Sequence, residues 1–317
     1  KIPQNWGNKE LRLYIQRLKT GLNNYCKDSL IEFRIVYKKD FYGFTNNTEY
    51  KYAQLVFKNI NGFYAYKKEL SKNIKVPKLR GQTFNFEKSL YETGITPFLR
   101  FFHIKDIFPS GWVKLPHGKY IQCRPKISRC QIDININWKD IISIDKNKIT
   151  PMLIASFDIE CTSKDGSFPT AKRESDKIIQ IGTTVHRYGE KECFLKHIVT
   201  LKECGNIDDK DTIVESYNTE KEVLLAWAKF INDLDPDIIT GYNIWGFDMS
   251  YIYDRITCIF NNGNGNYSEI FLNKISRLND KTAKIKEKEL SSSALGNNFL
   301  KWIDIEGVVQ IDLLKLI

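Results

Sequence analysis

The sequence predicts two domains: a β-rich α+β domain over residues 1–150, and an α/β domain with a mixed sheet over residues 151–317. Three observations predict it. Short alternating apolar runs fill the first half, whereas longer apolar runs interleave with helix-length stripes in the second. The charge balance reverses, with 28 Lys+Arg against 12 Asp+Glu in residues 1–150 and 20 against 26 in residues 151–317. Finally, a lysine-rich stretch from Lys139 to Thr150 ends at Pro151, where an apolar run begins.

From the amino end, Leu11, Leu13, Ile15, Leu18 and Leu22 predict an amphipathic helix over 8–22. Ile31–Tyr37 and Tyr50–Phe57 are rich in β-branched and aromatic residues and predict strands. A helix over 62–70 completes a helix–strand–strand–helix unit. Between Thr83 and Trp138, Pro97, Pro109, Gly111, Pro116 and Gly118 punctuate short strand-like runs. In the second half, Met152–Ile159 and Lys177–Val185 predict strands buried on both faces, with Phe194–Val199 a third. Thr219 and Glu222 have capping-box spacing ahead of a stripe formed by Val223, Leu224, Trp227, Phe230, Ile231 and Leu234, which Pro236 stops. Pro236–Tyr242 predicts a short strand, Met249–Phe260 a helix, Asn261–Asn266 a loop, Lys281–Glu306 a hairpin turning near Gly296, and Val308–Leu314 a last strand.

Composition excludes several classes. The chain of 317 residues is 42% hydrophobic and 27% charged, and no apolar run approaches the roughly 20 residues that span a bilayer. No secretory signal pattern opens it, and a start at Lys1-Ile2-Pro3 is that expected inside a longer protein. Seven scattered cysteines without a C-x-x-C pair read as reduced intracellular thiols. A basic, aromatic-rich half suits phosphates and bases, and an acidic half suits divalent cations; a solvated lysine surface explains the first equally well. The same pair of readings stands for Lys67, Lys68, Lys72, Lys75 and Lys78. His186 and His197 read as structural.

The chemistry concentrates in two segments. Phe157-Asp158-Ile159-Glu160 ends an apolar strand, so its two carboxylates share a face. A buried acidic pair there wants a cation such as Mg²⁺ or Mn²⁺; the plain alternative is a solvated strand end. Tyr242-Asn243-Ile244-Trp245-Gly246-Phe247-Asp248 lies between a short strand and a helix. Asp248 there either caps the helix or faces Asp158, and Trp245 or Phe247 can stack on a base.

Together these segments resemble the first (D-x-E) and second (N-x-x-x-F-D) motifs of DEDD-type 3′-5′ exonucleases as carried by family B DNA polymerases. Tyr91–Arg100, Gly111–Tyr120, Ile127–Gln131 and Asp235–Gly241 resemble the delta-type catalytic subunit, so the resemblance covers nearly the whole chain. It implies a ribonuclease H-like exonuclease domain behind an amino-terminal polymerase domain, and two divalent metal ions held by Asp158, Glu160 and Asp248. It implies that Asp158 bridges both ions, Glu160 serves the water-activating one and Asp248 the other, while Asn243 and Phe247 position the DNA 3′ end. The implied partners are the primer 3′ end and single-stranded template, with a sliding clamp or accessory subunits reached through other parts and no membrane. The implied setting is the nucleus, or a cytoplasmic replication factory if the source is a large DNA virus, which the Asn, Lys, Ile and Tyr excess would suit. The family's third motif, Y-x-x-x-D, finds no match after Asp248: position 308 is Val, and Asp312 reads as structural. Three of four carboxylates are therefore expected, with weak or no activity for this stretch alone. The 281–306 hairpin stands where relatives move the primer end between sites, or is a plain exposed hairpin. Two other readings stay open: a catalytically silent nucleic-acid-binding scaffold, and a stand-alone DEDD exoribonuclease.

Overall fold

Leu11, Tyr14, Ile15 and Leu18 recur at 3.6-residue spacing and form the buried stripe of the first helix, α1 (Asn8–Lys19). Tyr14 takes the place expected for Leu13, which lies off this stripe and is half-buried. The computed structural model describes residues 1–40, 42–258, 266–292 and 296–316. After a single turn, α2 (Asn24–Lys27), come the expected strands β1 (Leu30–Lys39) and β2 (Glu49–Phe57), antiparallel with Phe33 opposite Leu55. The second expected helix is α3 (Ile60–Leu70), capped by Asn59, whose side chain accepts the Gly62 N–H at 2.8 Å. Strands β3 (Ile74–Val76) and β4 (Gln82–Phe84) pair, and Trp6 packs on Tyr14, Phe84 and Phe86 in the core. The proline-punctuated region holds expected short strands, β5 (Trp112–Lys114), β6 (Tyr120–Gln122) and β7 (Ile134–Ile136), and β8 (Ile142–Ile144), not anticipated, follows in the lysine-rich stretch and pairs with β5. The same region also holds an unforeseen helix, α4 (Pro97–Lys105), before them. Its signal is local: Thr96 caps it, with Pro97 opening the first turn.

Packing divides the chain into two units, residues 1–114 with 141–145, and residues 115–140 with 146–317. This division differs from a cut at residue 150. The stretch around Ile127–Arg129 bonds far along the second unit, with Arg129 N–H donating to Arg277 O and Asn279 N–H to Ile127 O, both at 2.9 Å. Sequence distance conceals such pairing.

The second unit is built on a six-stranded mixed sheet. Strands β9 (Leu153–Cys161), β10 (Ile178–Arg187) and β11 (Leu195–Leu201) are antiparallel neighbours, and β12 (Thr212–Tyr217), unforeseen, adds parallel to β11. The helix α5 (Glu220–Leu234) starts at the predicted capping box: Thr219 N–H donates to Glu222 at 2.9 Å, and Glu222 N–H to the Thr219 hydroxyl at 3.3 Å. Its Trp227 packs on Phe157 of β9 at 4.9 Å between ring centres and donates its indole N–H to Thr183. Strand β13 (Ile238–Gly241) then lies parallel to β9 on the side away from β10. After it come α6 (Asp248–Cys258), α7 (Tyr267–Ile275), the hairpin β14 (Lys284–Ser292) with β15 (Gly296–Asp304), and β16 (Val309–Asp312), parallel to β13. The helix α7 was not anticipated. Of the predicted 261–266 loop only Asn266 is among the described residues, as α7's cap; the end of the predicted 249–260 helix lies outside them, as do residues 293–295 beside the hairpin turn. All seven cysteines are free. No helix among the described residues is long and apolar enough to cross a membrane.

Candidate active site

Three parallel strands, β9, β13 and β16, end at one edge of the sheet, and their register decides what meets there. Thr240 lies opposite Ser156 and Gly241 opposite Asp312, so chain leaving β13 turns over the end of β9 and beside the end of β16. A Cβ on Gly241 would stand 2.5 Å from Phe157 O, which is why this crossing takes glycine.

Strand β9 alternates at its end. Ala155, Phe157 and Ile159 are buried against the core, while Asp158 and Glu160 face the other way and are exposed. The acidic pair is thus at an open strand face, not a buried one, and β9 is not covered on both faces there. The carboxylates still project together, as the two-residue period requires.

Asp248 approaches from the opposite direction. It opens α6, is 2% exposed, and accepts the Ile159 N–H at 3.0 Å. Its carboxylate reaches across to the strand between Asp158 and Glu160. Burial pushes its pKa up to about 7, the nearby charge of Asp158 adds to the rise, and the hydrogen bond from Ile159 opposes it. Such a carboxyl fits a cation: a divalent ion between it and Asp158 would restore the anionic form. The three carboxylates do not close on one another, since no group of three or more His, Cys, Asp or Glu side chains able to hold a metal occurs among the described residues.

The turn between β13 and α6 is held by Asp312, 1% exposed at the end of β16. One of its oxygens accepts the N–H groups of Asn243 and Leu314 at 2.9 and 3.0 Å, and the other that of Trp245 at 3.0 Å. Asn243 is in the left-handed region at φ 59, which asparagine tolerates. Gly246 lies so close that a Cβ there would stand 2.3 Å from the Asn243 side-chain oxygen. Lys301 in β15 joins the assembly, donating its N–H to Trp245 O at 2.9 Å while its ammonium bridges Asp254 of α6 and Glu287 of β14. The hairpin is therefore bonded to the second-motif turn. Phe247 is half-buried, 5.3 Å from Tyr251 and 5.2 Å from Phe168 between ring centres.

Sequence reasoning missed Phe168. It is 74% exposed in the segment joining β9 to β10, edge-on to Phe247, and only its place in Gly166-Ser167-Phe168-Pro169, an aromatic in a turn, hinted at it. His197 is structural as expected: it is buried, stacked on Phe230 at 3.8 Å, and bonded to Glu215.

Comparison with known proteins shows the family. The sequence model of the exonuclease domain of DNA polymerase family B matches residues 88–317. A DNA polymerase of Acanthamoeba polyphaga mimivirus is 37% identical over 266 residues, covering 80% of this chain and 15% of its own length. The DNA polymerase delta catalytic subunits of Candida albicans and Arabidopsis thaliana are 31% and 37% identical, covering 94% and 72% of this chain and 27% and 20% of their own lengths. The solved family B DNA polymerase of the hyperthermophilic archaeon Pyrobaculum calidifontis shares the fold, with TM-score 0.54 and 15% identity over 96% of this chain and 30% of that one. The chain thus spans under a third of each of these relatives. It belongs to the family B DNA polymerases and carries that family's exonuclease domain.

Proposed function

We propose that this chain is the amino-terminal and proofreading portion of a replicative DNA polymerase of the delta type, and that its second domain, residues 151–317, removes the 3′-terminal nucleotide of DNA. The first domain, residues 1–150, accompanies single-stranded template on its basic surface. One observation carries the reading: the Ile159 N–H bond to Asp248 joins the first motif to the second, with two carboxyl groups so near that the Asp158 charge raises the Asp248 pKa.

Asp158 and Glu160 would hold two divalent ions from the open strand face, with Asp248 behind them. When bound, such ions would supply charge stabilisation to the attacking and leaving oxygens of a phosphodiester displacement. The chain's own residues do the rest. Asn243, fixed by Asp312 and crowded by Gly246, orients the terminal nucleotide, and the Phe247 ring, supported by Tyr251, bears on its sugar or base. Phe168 extends the same aromatic platform toward solvent. Asp248, anionic in the loaded site and about half protonated near pH 7 without ions, makes ion binding release part of a proton.

The test is Mg²⁺-dependent digestion of 3′-labelled single-stranded DNA by the full-length polymerase. Asp158→Ala and Asp248→Ala are each expected to lower the rate by about a thousandfold or more, on the scale of losing a charge-stabilising group. Retained digestion by Asp158→Ala would sink the assignment. Salt-dependent DNA binding without any digestion would instead identify a silent scaffold, and preference for RNA a ribonuclease.

A further inference from the structure

We propose that Arg255 is a positioning residue for the exonuclease site, acting through α6 to hold Asp248 against the strand that carries Asp158 and Glu160. The inference rests on the exonuclease reading above. It begins with helical periodicity: positions 248, 251 and 255 fall on one face of α6. All three carry polar anchors. Asp248 accepts the Ile159 N–H, the Tyr251 hydroxyl donates to Asp176 O at 2.9 Å, and Arg255 donates to Ala171 O at 3.1 Å and to Arg173 O at 2.7 Å.

The last three acceptors belong to the strap of residues 162–177 that leaves β9 after Cys161, one residue beyond Glu160. Its neck is closed by Thr162 N–H to Lys177 O at 2.8 Å and the Thr162 hydroxyl to Ser175 O at 2.9 Å. Arg173 braces its interior, bonding Asp165, Ser167, Asp176 and Phe168 O. Strand, strap and helix therefore form a closed circuit. It leads from Asp158 and Glu160 through the strap to Arg255, along α6 to Asp248, and back through Ile159. A slide or rotation of α6 breaks at least one link.

Arg255 itself is fully buried, and its counter-charge is Glu220 at the start of α5, bonded from both Nε, at 2.7 Å, and Nη2. Glu220 also accepts the Ile178 N–H at 2.9 Å, fixing the first residue of β10. A buried ion pair seldom adds stability over an apolar pair of the same volume. What the guanidinium supplies is direction, since its planar donors reach a carboxylate and two carbonyls at set angles. Those fixed angles locate the far end of α6 relative to the strap.

The experiment uses the full-length polymerase with Arg255→Lys and, as a milder change that leaves the ring, Tyr251→Phe. Two readouts are taken: kcat and KM for 3′-labelled single-stranded DNA, and amide exchange of the metal-free protein. Misplacement of Asp248 is expected to lower kcat by about tenfold to a hundredfold in Arg255→Lys, with KM changed less than about threefold. Exchange at Ile159 should accelerate, while Thr183 and Val185 in the middle of the sheet keep their protection. An unchanged kcat and an unchanged Ile159 rate in a folded variant would overturn the proposal. So would exchange that accelerates equally throughout the sheet, which marks a purely structural role. If Arg255→Lys fails to fold, Tyr251→Phe decides alone by the same two readouts, with kcat down about threefold to tenfold. Asp158→Ala run in parallel separates the two readings. If it still digests DNA, the exonuclease assignment fails and the Ile159 exchange rate still tests the brace; if it is dead while Arg255→Lys digests normally, only the brace falls.

Discussion

A carboxyl group sealed beneath its strand and facing another carboxylate stores unfavourable energy in the metal-free protein, and Asp248 is such a group. Its pKa is about 7 folded, against an ordinary 3.8. The folded state therefore holds a proton that the unfolded chain has already released between those values, so this group's contribution to stability falls as pH rises from about 4 to about 7. Asp248→Asn, which keeps an oxygen for the Ile159 N–H, is expected to make the EDTA-treated protein more stable at pH 8 by a few kcal/mol. The gain should vanish near pH 4, as urea unfolding at the two pH values would reveal. Asp312 matters instead as an acceptor of backbone N–H groups. Replacing it with Ala strands three backbone N–H groups near the turn, a loss of about 2–4 kcal/mol of stability, while Asp312→Asn, which keeps one acceptor oxygen, should cost less; thermal unfolding of both variants checks the order. Asp158, Glu160 and Asp248 were legible as candidates because their motifs are short and regular. The exposure of the first two was not, because which face of a strand is covered depends on elements distant in sequence.

At the scale of elements, signals written within a few residues were the readable ones. The Thr219–Glu222 box and the stripe through Trp227 specify α5 without reference to the rest of the chain, and Trp227→Ala is expected to cost about 3–5 kcal/mol in urea unfolding because the ring fills the space over Phe157. The Thr96-Pro97 start of α4 was equally local and was obscured by the turn-forming prolines around it. Strand β12 had no such signal: its TIVESY segment has a strand's composition, yet it is only an edge strand beside β11. The crossing at Gly241 is another product of tertiary contact. Gly241→Ala is expected to lower the melting temperature by several degrees, as differential calorimetry would record, because the new methyl meets Phe157 O and the Ile244 side chain.

Across the whole molecule, the division of charge is the property with the widest reach. Lys67 donates to Thr93 O and Lys72 pairs with Glu69, whereas Lys68, Lys75 and Lys78 are exposed on the first unit. Neutralising those three to Gln in the full-length polymerase should weaken single-stranded DNA binding and lower the slope of log affinity against log salt by about 0.7 for each phosphate that is no longer neutralised, measured by fluorescence titration; an unchanged slope would mark them as a solvated face. Both the charge reversal and the family were legible in the sequence, because charge is a sum over residues and motifs are short patterns in chain order. So were most strands and helices, whose periodicities depend on neighbours within a turn or two. Tertiary structure alone decided that residues 115–140 pack with the second unit, that Asp312 holds the Asn243 turn from 69 residues away, and that Arg255 ties α6 to the strap. Each is a hydrogen bond or close packing between segments far apart in the chain, and sheet register and the direction of a buried side chain, which no local pattern encodes, determine which partner is met.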